Sequence, residues 1–256
     1  MLTVLSPAKK LDLAPVAART TAPRFPEATA KLVAAARALG VDDLRRLMSI
    51  SEPLARLNRD RFRDWEAAPE TPAIHAFAGD TYTGLDAATL SDDAVRYANG
   101  HLRILSGLYG LLRPMDALRP YRLEMGARLA GPWGRDLYAF WGDRIARALN
   151  AEAEAVGARM LLNCASREYF AAVDRDALAL PVVAPVFLED KPGGPKIVSF
   201  FAKQARGAMA RFVLENRIDD PADLRAFASG GYEYQPDRST RETPVFLRPD
   251  QAREAA

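Results

Sequence analysis

Apolar positions along the chain fall into short β-type runs and longer stretches with helical spacing. The short runs predict strands at 2–5, 74–77, 160–163, 182–188, 197–201 and 245–247. The longer stretches predict helices at 27–39, 42–50, 54–65, 92–98 and 136–156, with a further helical pattern around Leu85. The glycines and prolines of 101–131 predict a long irregular connection. Strands mixed with helices in this order predict an α/β (mixed α+β) fold.

The stretch 195–217 combines the strand predicted at 197–201 with a basic helix. Lys203, Gly207 and Arg211 recur at four-residue steps and therefore share one side of that helix, with Arg206 close to Lys203. Glycine costs roughly 1 kcal/mol relative to alanine inside a helix, so Gly207 predicts the close approach of a backbone or ligand. The free N–H groups and cations at such a helix start suit an anion. A solvated amphipathic helix fits the same residues equally well.

Composition narrows the class of protein. The net charge is only +2, so the chain as a whole does not attract nucleic acid, and local basic stretches would have to do so. The one cysteine, Cys164, excludes an internal disulfide and fits a reducing compartment. The sequence has no membrane-length apolar stretch and no signal peptide pattern, so we expect a cytoplasmic protein. Without an internal repeat or linker, residues 1–250 are predicted to form a single compact unit with a frayed tail at 251–256.

Helices 42–50 and 54–65 form a predicted pair with a basic surface. Apolar residues are spaced to pack the two helices together, and arginines recur along the second helix. Such a pair, over 42–65, is typical of a helix-hairpin-helix that follows a phosphate backbone without reading sequence. The turn between the helices lacks the glycines that usually present N–H groups to a phosphate. The arginines available for DNA contact are Arg45, Arg46, Arg56, Arg59 and Arg63.

Arginines and tyrosines also alternate in the connection 101–131. Arg113 and Arg122 could contact phosphates, and Tyr109 and Tyr121 could stack on bases. A buried polar network of Tyr121, Arg122 and Glu124 that fixes a long loop is an equal alternative.

Several polar side chains follow predicted strands or turns, where catalytic groups are often found. Ser6 and Lys9 follow the first strand and suit a phosphate or carboxylate, although an ordinary turn also explains them. The catalytic candidates are Ser6, Lys9, Asp80, Tyr82 and Glu168. The two histidines show no metal-ligand spacing, so neither a metal nor a cofactor is predicted.

Seven sequence blocks strongly resemble the YaaA family of peroxide-stress proteins and follow one another in the family's order. They are LSPAKKLD, GDTYTGL (79–85), LSGLYGLLRPMD (105–116), PYRLEMG (120–126), LYAFWGDRI (137–145), ASREYF (165–170) and KIVSFFAKQARGAMARFVLENR. The resemblance covers essentially the whole chain. It implies a role in the response to hydrogen peroxide, in which unincorporated iron is lowered and Fenton damage to DNA is limited.

The resemblance also implies a single α/β unit with a helix-hairpin-helix and a basic cleft that binds double-stranded DNA. On this chain the cleft would use Lys9, Lys203, Arg206 and Arg211, while Gln204 replaces a lysine found in many members. We therefore expect a monomer that binds duplex DNA with little sequence preference. The alternative is an enzyme that acts on a nucleotide, nucleobase or modified DNA base in the same cleft.

Overall fold

The computed structural model describes residues 1–16 and 18–249, so the predicted tail at 251–256 lies outside the described residues. Helices and strands are mixed along the chain, which confirms the predicted α/β class. The strands are β1 Leu2–Leu5, β2 Lys10–Leu11, β3 Thr71–Pro72, β4 Phe77–Ala78, β5 Leu102–Ser106, β6 Gly110–Leu112, β7 Ala117–Leu118, β8 Leu161–Asn163, β9 Val182–Val183, β10 Val186–Glu189, β11 Glu233–Tyr234 and β12 Val245–Arg248. The α-helices are α1 Pro26–Arg37, α2 Val41–Met48, α3 Glu52–Arg63, α4 Ala73–Ala76, α5 Asp80–Leu85, α6 Asp92–His101, α7 Leu137–Trp141, α8 Arg144–Ala155, α9 Arg167–Phe170 and α10 Ser199–Asn216.

A five-stranded sheet in the order β6-β5-β1-β8-β9 lies at the centre of the fold. Strand β1 is parallel to both β5 and β8, in the register Thr3 opposite Leu102 and Leu2 opposite Leu161. All four residues of β1 are buried. This burial explains the uninterrupted apolar run, since a strand covered on both faces needs no alternation. The carboxyl ends of β1, β5 and β8 therefore meet at one edge, which we call the carboxyl edge.

A smaller sheet, β10-β12-β11, packs through aromatic side chains. Phe187 contacts Phe227, Tyr232 and Phe246, with ring centroids between 5.4 and 5.8 Å apart. The buried Glu189 carboxylate accepts hydrogen bonds from Tyr232 and from the Arg248 guanidinium. The sheet thus has its own cluster of rings and a satisfied buried charge. Two further pairs of short strands, β2-β4 and β3-β7, complete the pairing of the described strands.

Helices α5 and α10 approach each other at two glycines. A Cβ added at Gly207 would lie 1.8 Å from the carbonyl oxygen of Thr81, and one added at Gly84 would lie 2.0 Å from that of Gln204. Neither position can carry a side chain without moving a backbone. The prediction that Gly207 serves a close backbone approach is confirmed.

Four predicted elements differ from the structure. Residues 74–77 belong mainly to α4. Of the strand predicted at 197–201, residues 199–201 begin α10 and 197–198 precede it. The strand predicted at 182–188 divides at Ala184-Pro185 into β9 and β10, because proline lacks the N–H that a ladder needs. The long helix predicted at 136–156 breaks into α7 and α8 at Gly142, whose φ is +49°. At 74–77 and 197–201 a local apolar pattern fitted more than one element, whereas Pro185 and Gly142 interrupt the other two elements locally.

The prediction of an irregular connection at 101–131 was correct for 119–130, which contain no helix or strand, but wrong for 102–118. This segment contains β5, which pairs with the central strand β1, together with β6 and β7. Strands β5 and β6 form an antiparallel hairpin in which Ser106 pairs with Gly110, whose φ is +69°. The glycines that suggested irregularity thus make a tight hairpin between buried strands.

Candidate functional site

Hydroxyl groups from three elements meet at the carboxyl edge. Ser6, directly after β1, donates from its Oγ to the Ser166 Oγ at 3.3 Å and accepts the Ser166 N–H at 2.8 Å. The Tyr82 hydroxyl, from α5, donates to the Ser6 carbonyl oxygen at 3.1 Å. Burial raises the pKa of Tyr82 well above its usual value, so this hydroxyl stays protonated. The structure thus brings together two predicted catalytic candidates, Ser6 and Tyr82.

A small cavity with a carboxylate lies beside this hydroxyl network. Its lining includes Lys9, Arg122, Glu124 and the rings of Tyr121 and Tyr169, and its volume is about 10 Å³, enough for about one water molecule. The Glu124 Oε1 accepts from the Arg122 Nε at 3.0 Å and lies 3.4 Å from the Lys9 Nζ. The Glu124 Oε2 is buried and has no hydrogen-bond partner among the described residues. This unsatisfied oxygen is available to a ligand.

The polar network predicted for Tyr121, Arg122 and Glu124 is present as two separate parts. Arg122 pairs with Glu124, whereas the Tyr121 hydroxyl lies 2.6 Å from the Ser106 Oγ. The sequence did not suggest Glu124 as a site residue. The sequence pattern is weak evidence for a site, because a glutamate two positions after an arginine resembles any local ion pair. The unsatisfied Oε2 becomes apparent only in the structure.

Lys203 and Arg206 of α10 extend the positive charge along the same edge. The Lys203 Nζ lies 3.6 Å from the Asp80 Oδ2 at the start of α5, and the Lys203 side chain is 52% exposed. Arg206 interacts electrostatically with Cys164 and Arg167, and it has no carboxylate partner within the described residues. Burial chiefly lowers the pKa of this arginine. We call Lys9, Lys203 and Arg206 the basic edge.

The remaining predicted site residues of this region have structural partners. Arg211 donates to the carbonyl oxygens of Leu85 and Asp86, at 3.2 and 2.8 Å, and so ties α10 to the end of α5. The Glu168 Oε1 accepts the backbone N–H of Gly126 at 3.0 Å. Arg211 therefore has a structural role. Glu168 fixes the loop at Gly126, although its side chain remains exposed.

Helices α2 and α3 stand where the hairpin was predicted, but their arginines are paired. Each of the five predicted contact residues has a carboxylate within 3.2 Å on the same helix or directly after it. The pairs are Arg45–Asp42, Arg46–Asp43, Arg56–Glu52, Arg59–Asp60 and Arg63 with Asp60 and Asp64. Positive charge on this surface is therefore largely compensated.

Arg113 and Cys164 are part of the structural framework. The Arg113 Nε donates to the buried Asp116 carboxylate at 3.1 Å, and its NH2 group donates to the carbonyl oxygen of Ala22. Cys164 is fully enclosed after β8, and burial raises the pKa of its thiol to about 12. A thiol of this kind is protonated at neutral pH and is a poor nucleophile.

The fold and the edge together define the class of protein: an α/β protein with cations, hydroxyls and one unsatisfied carboxylate oxygen at the carboxyl ends of its parallel strands. This is the position at which open α/β sheets bind anionic ligands. None of the described helices is long and apolar enough to cross a membrane.

Comparison with known proteins identifies the family. The family model for the peroxide stress protein YaaA matches residues 1–238. A UPF0246 protein from Jannaschia sp. (strain CCS1) is 59% identical over 258 residues, covering 100% of both chains. One from Dinoroseobacter shibae is 59% identical over 97% of this chain and 95% of its own, and one from Ruegeria pomeroyi is 56% identical over 98% and 100%. The chain belongs to the YaaA family of peroxide stress proteins, and this assigns it to the stress response.

Proposed function

We propose that this protein binds double-stranded DNA through phosphate contacts at the basic edge and thereby helps limit iron-dependent oxidative DNA damage in the cytoplasm. The observation that carries the proposal is the weak pairing of the cations there. Lys9 and Lys203 lie 3.4 and 3.6 Å from their carboxylates, and their side chains are 68% and 52% exposed. Exposed pairs of this kind contribute about 0–1 kcal/mol, so a phosphate can compete for both lysines at little cost.

The same observation favours binding without sequence preference. The basic edge offers ammonium and guanidinium groups, and such cations bind phosphate oxygens that are the same for every base pair. A net charge of +2 provides no long-range attraction, so affinity depends on these local groups. We expect the complex to contain one copy of the chain and to weaken steeply with salt.

Helices α2 and α3 are a secondary contact in this proposal. DNA could bind their arginines only by replacing the paired carboxylates, which remain beside the phosphates and repel them. The basic edge lacks this penalty at Arg206, which has no carboxylate partner in the described part of the chain. We therefore assign the main contact to the edge.

A binding experiment across a salt series tests the proposal. A short fluorescent duplex is titrated with wild-type protein and with Lys203→Ala/Arg206→Ala. The charge-matched control is Lys31→Ala/Arg147→Ala, on exposed faces of α1 and α8. If the edge carries two phosphate contacts, the slope of log K against log salt becomes shallower by about 2 in the first variant and is unchanged in the control.

Two outcomes would count against this assignment. Wild-type affinity that does not change between low and physiological salt would exclude phosphate contacts as the source of binding. A loss in Arg56→Ala/Arg63→Ala that exceeds the loss in the edge variant would move the contact to α3. Light scattering of the complex checks the expected single copy. Counting DNA breaks in peroxide-treated cells that carry the wild type or the edge variant tests the protective role.

A second function is favoured by the orphan carboxylate oxygen of Glu124. A buried carboxylate beside a cavity that holds about one water molecule suits a general base that activates this water, and so an enzyme that hydrolyses a nucleotide or a modified DNA base at the cavity mouth. Mass spectrometry of DNA that carries oxidised bases, after incubation with the protein, would detect a released base. Release that continues unchanged in Glu124→Gln would remove Glu124 from this role.

A further inference from the structure

A second depression lies at the end of β8 and shares no lining residue with the Glu124 cavity. It is bounded by the end of β8, by α9 and the residues after it, by the start of β10 and by α10, and its volume is about 620 Å³. Pockets that hold nucleotide-sized ligands have volumes in this range.

Three guanidinium groups line this depression. Arg206 reaches it from α10, Arg167 from the first position of α9, and Arg175 from the loop that follows. Arg206 is partly buried, and its titratable neighbours are the Cys164 thiol and the like charge of Arg167. An arginine that is withdrawn from water beside another arginine is unfavourable unless an anion joins them.

The single carboxylate among the lining residues does not neutralise this charge. The Asp174 Oδ1 accepts the backbone N–H groups of Asp176 and Ala177, at 2.9 and 3.4 Å. No ion pair joins Asp174 to an arginine within residues 1–16 and 18–249. The basic groups therefore remain available to a ligand, and guanidinium groups match the paired oxygens of a phosphate.

Part of the lining forms an apolar wall. Phe170, Val173 and Val186 line it, and Ile197 is 54% exposed at its rim. The Arg175 guanidinium lies 5.8 Å from the centre of the Phe170 ring. Inorganic phosphate would leave this wall uncovered, whereas the flat base of a nucleotide would cover it.

We propose that this depression binds a nucleoside 5′-phosphate, with the phosphate on Arg167, Arg175 and Arg206 and the base against Phe170 and Ile197. The phosphate belongs either to a free nucleotide or to the 5′ end of a nucleic-acid strand. The site shares Arg206 with the basic edge. The proposal of nucleotide binding does not depend on whether the basic edge binds duplex DNA.

Calorimetric titration of the full chain tests the site. The ligands are adenosine 5′-monophosphate, adenosine, inorganic phosphate, and a short single-stranded oligonucleotide with or without a 5′-phosphate. The variants are Arg175→Ala, Arg206→Gln and the control Arg225→Ala, which removes an arginine that lies 5.6 Å from the Tyr234 ring at another site. We expect saturable binding of the nucleotide or of the phosphorylated end. Affinity should fall at least tenfold in Arg206→Gln and severalfold in Arg175→Ala, with no change in Arg225→Ala.

The ligand series distinguishes the sources and the possible failures. Binding of the mononucleotide assigns a free nucleotide, and binding of only the phosphorylated oligonucleotide assigns a strand end. If adenosine binds as tightly as its monophosphate, the three arginines do not contact the phosphate. If inorganic phosphate binds as tightly as the monophosphate, the apolar wall does not contribute to binding. If no ligand binds, or if Arg175→Ala and Arg206→Gln have no effect, the site is refuted. Duplex binding by Arg175→Ala should stay at the wild-type level, so failure of this site and failure of the basic edge are separately visible.

Discussion

Replacing Gly207 with alanine tests the closest helix contact in the fold. The new Cβ would lie 1.8 Å from the Thr81 carbonyl oxygen and 2.7 Å from the Leu85 backbone nitrogen. Contact at roughly 3.5 Å requires α5 and α10 to separate by about 1.7 Å. Overpacking of this kind costs about 3 kcal/mol when backbone must move. Alanine recovers about 1 kcal/mol through its helix propensity, so the free energy of unfolding should fall by about 2 kcal/mol.

The assay is reversible unfolding by urea, supported by thermal unfolding, in which a 2 kcal/mol loss lowers Tm by about 4–8 °C. Gly100→Ala in α6 is the matched control, because its Cβ would meet the nearest atom, Val156 Cγ1, at an ordinary 3.6 Å. That variant should be unchanged or slightly more stable. If Gly207→Ala is as stable as the Gly100→Ala control, the close contact between α5 and α10 is refuted. Adding Gly84→Ala should cost less than the sum of the single changes, because the helices have already separated.

Three further predictions concern buried polar groups. Burial raises the pKa of the Cys164 thiol to about 12, so alkylation at pH 8 should be far slower in folded than in urea-unfolded protein, and equal rates would contradict its enclosure. Burial opposes ionisation of Glu152, but the hydrogen bond and charge of Arg103 outweigh it and lower the carboxyl pKa. The Glu152–Arg103 pair therefore contributes its full stabilisation above the ordinary pKa of 4.5, and this contribution is lost as pH falls through the lowered pKa. Glu152→Gln should cost about 3 kcal/mol at pH 7 and reduce the acid dependence of urea midpoints, because it leaves a buried arginine unpaired. Ser106→Ala should cost about 1–3 kcal/mol by leaving the Tyr121 hydroxyl and a backbone N–H without their partner, whereas an unchanged urea midpoint would show that neither needs it.

Part of the candidate site could be predicted from strand ends alone. Ser6 follows β1 and Ser166 comes soon after β8, and parallel neighbours place their carboxyl ends together. The contact between Lys9 and Glu124 could not be predicted, because the two residues are far apart in sequence and meet only through the loop after β7. The compensation of the arginines on α2 and α3 was visible in part, since Asp42, Asp43 and Asp64 stand beside them. The pair nevertheless appears basic in the sequence, because these three aspartates stand at its two ends, outside the stretch that is rich in arginine.

The sequence by itself determined the elements that need little context. Strand β1 follows from an apolar run, α1 from helical spacing that begins at a proline, and the family from motifs that span the chain. The same local pattern could not decide 197–201. Phe200 and Phe201 enter α10, whose Ala202 and Ala205 pack inward, while Ile197 precedes the helix and stays at the surface. Nor could it reveal β5, whose partner β1 lies about a hundred residues earlier. Spacing along a chain fixes which face of an element is apolar, but pairing between distant segments decides which elements form and which charges remain without partners.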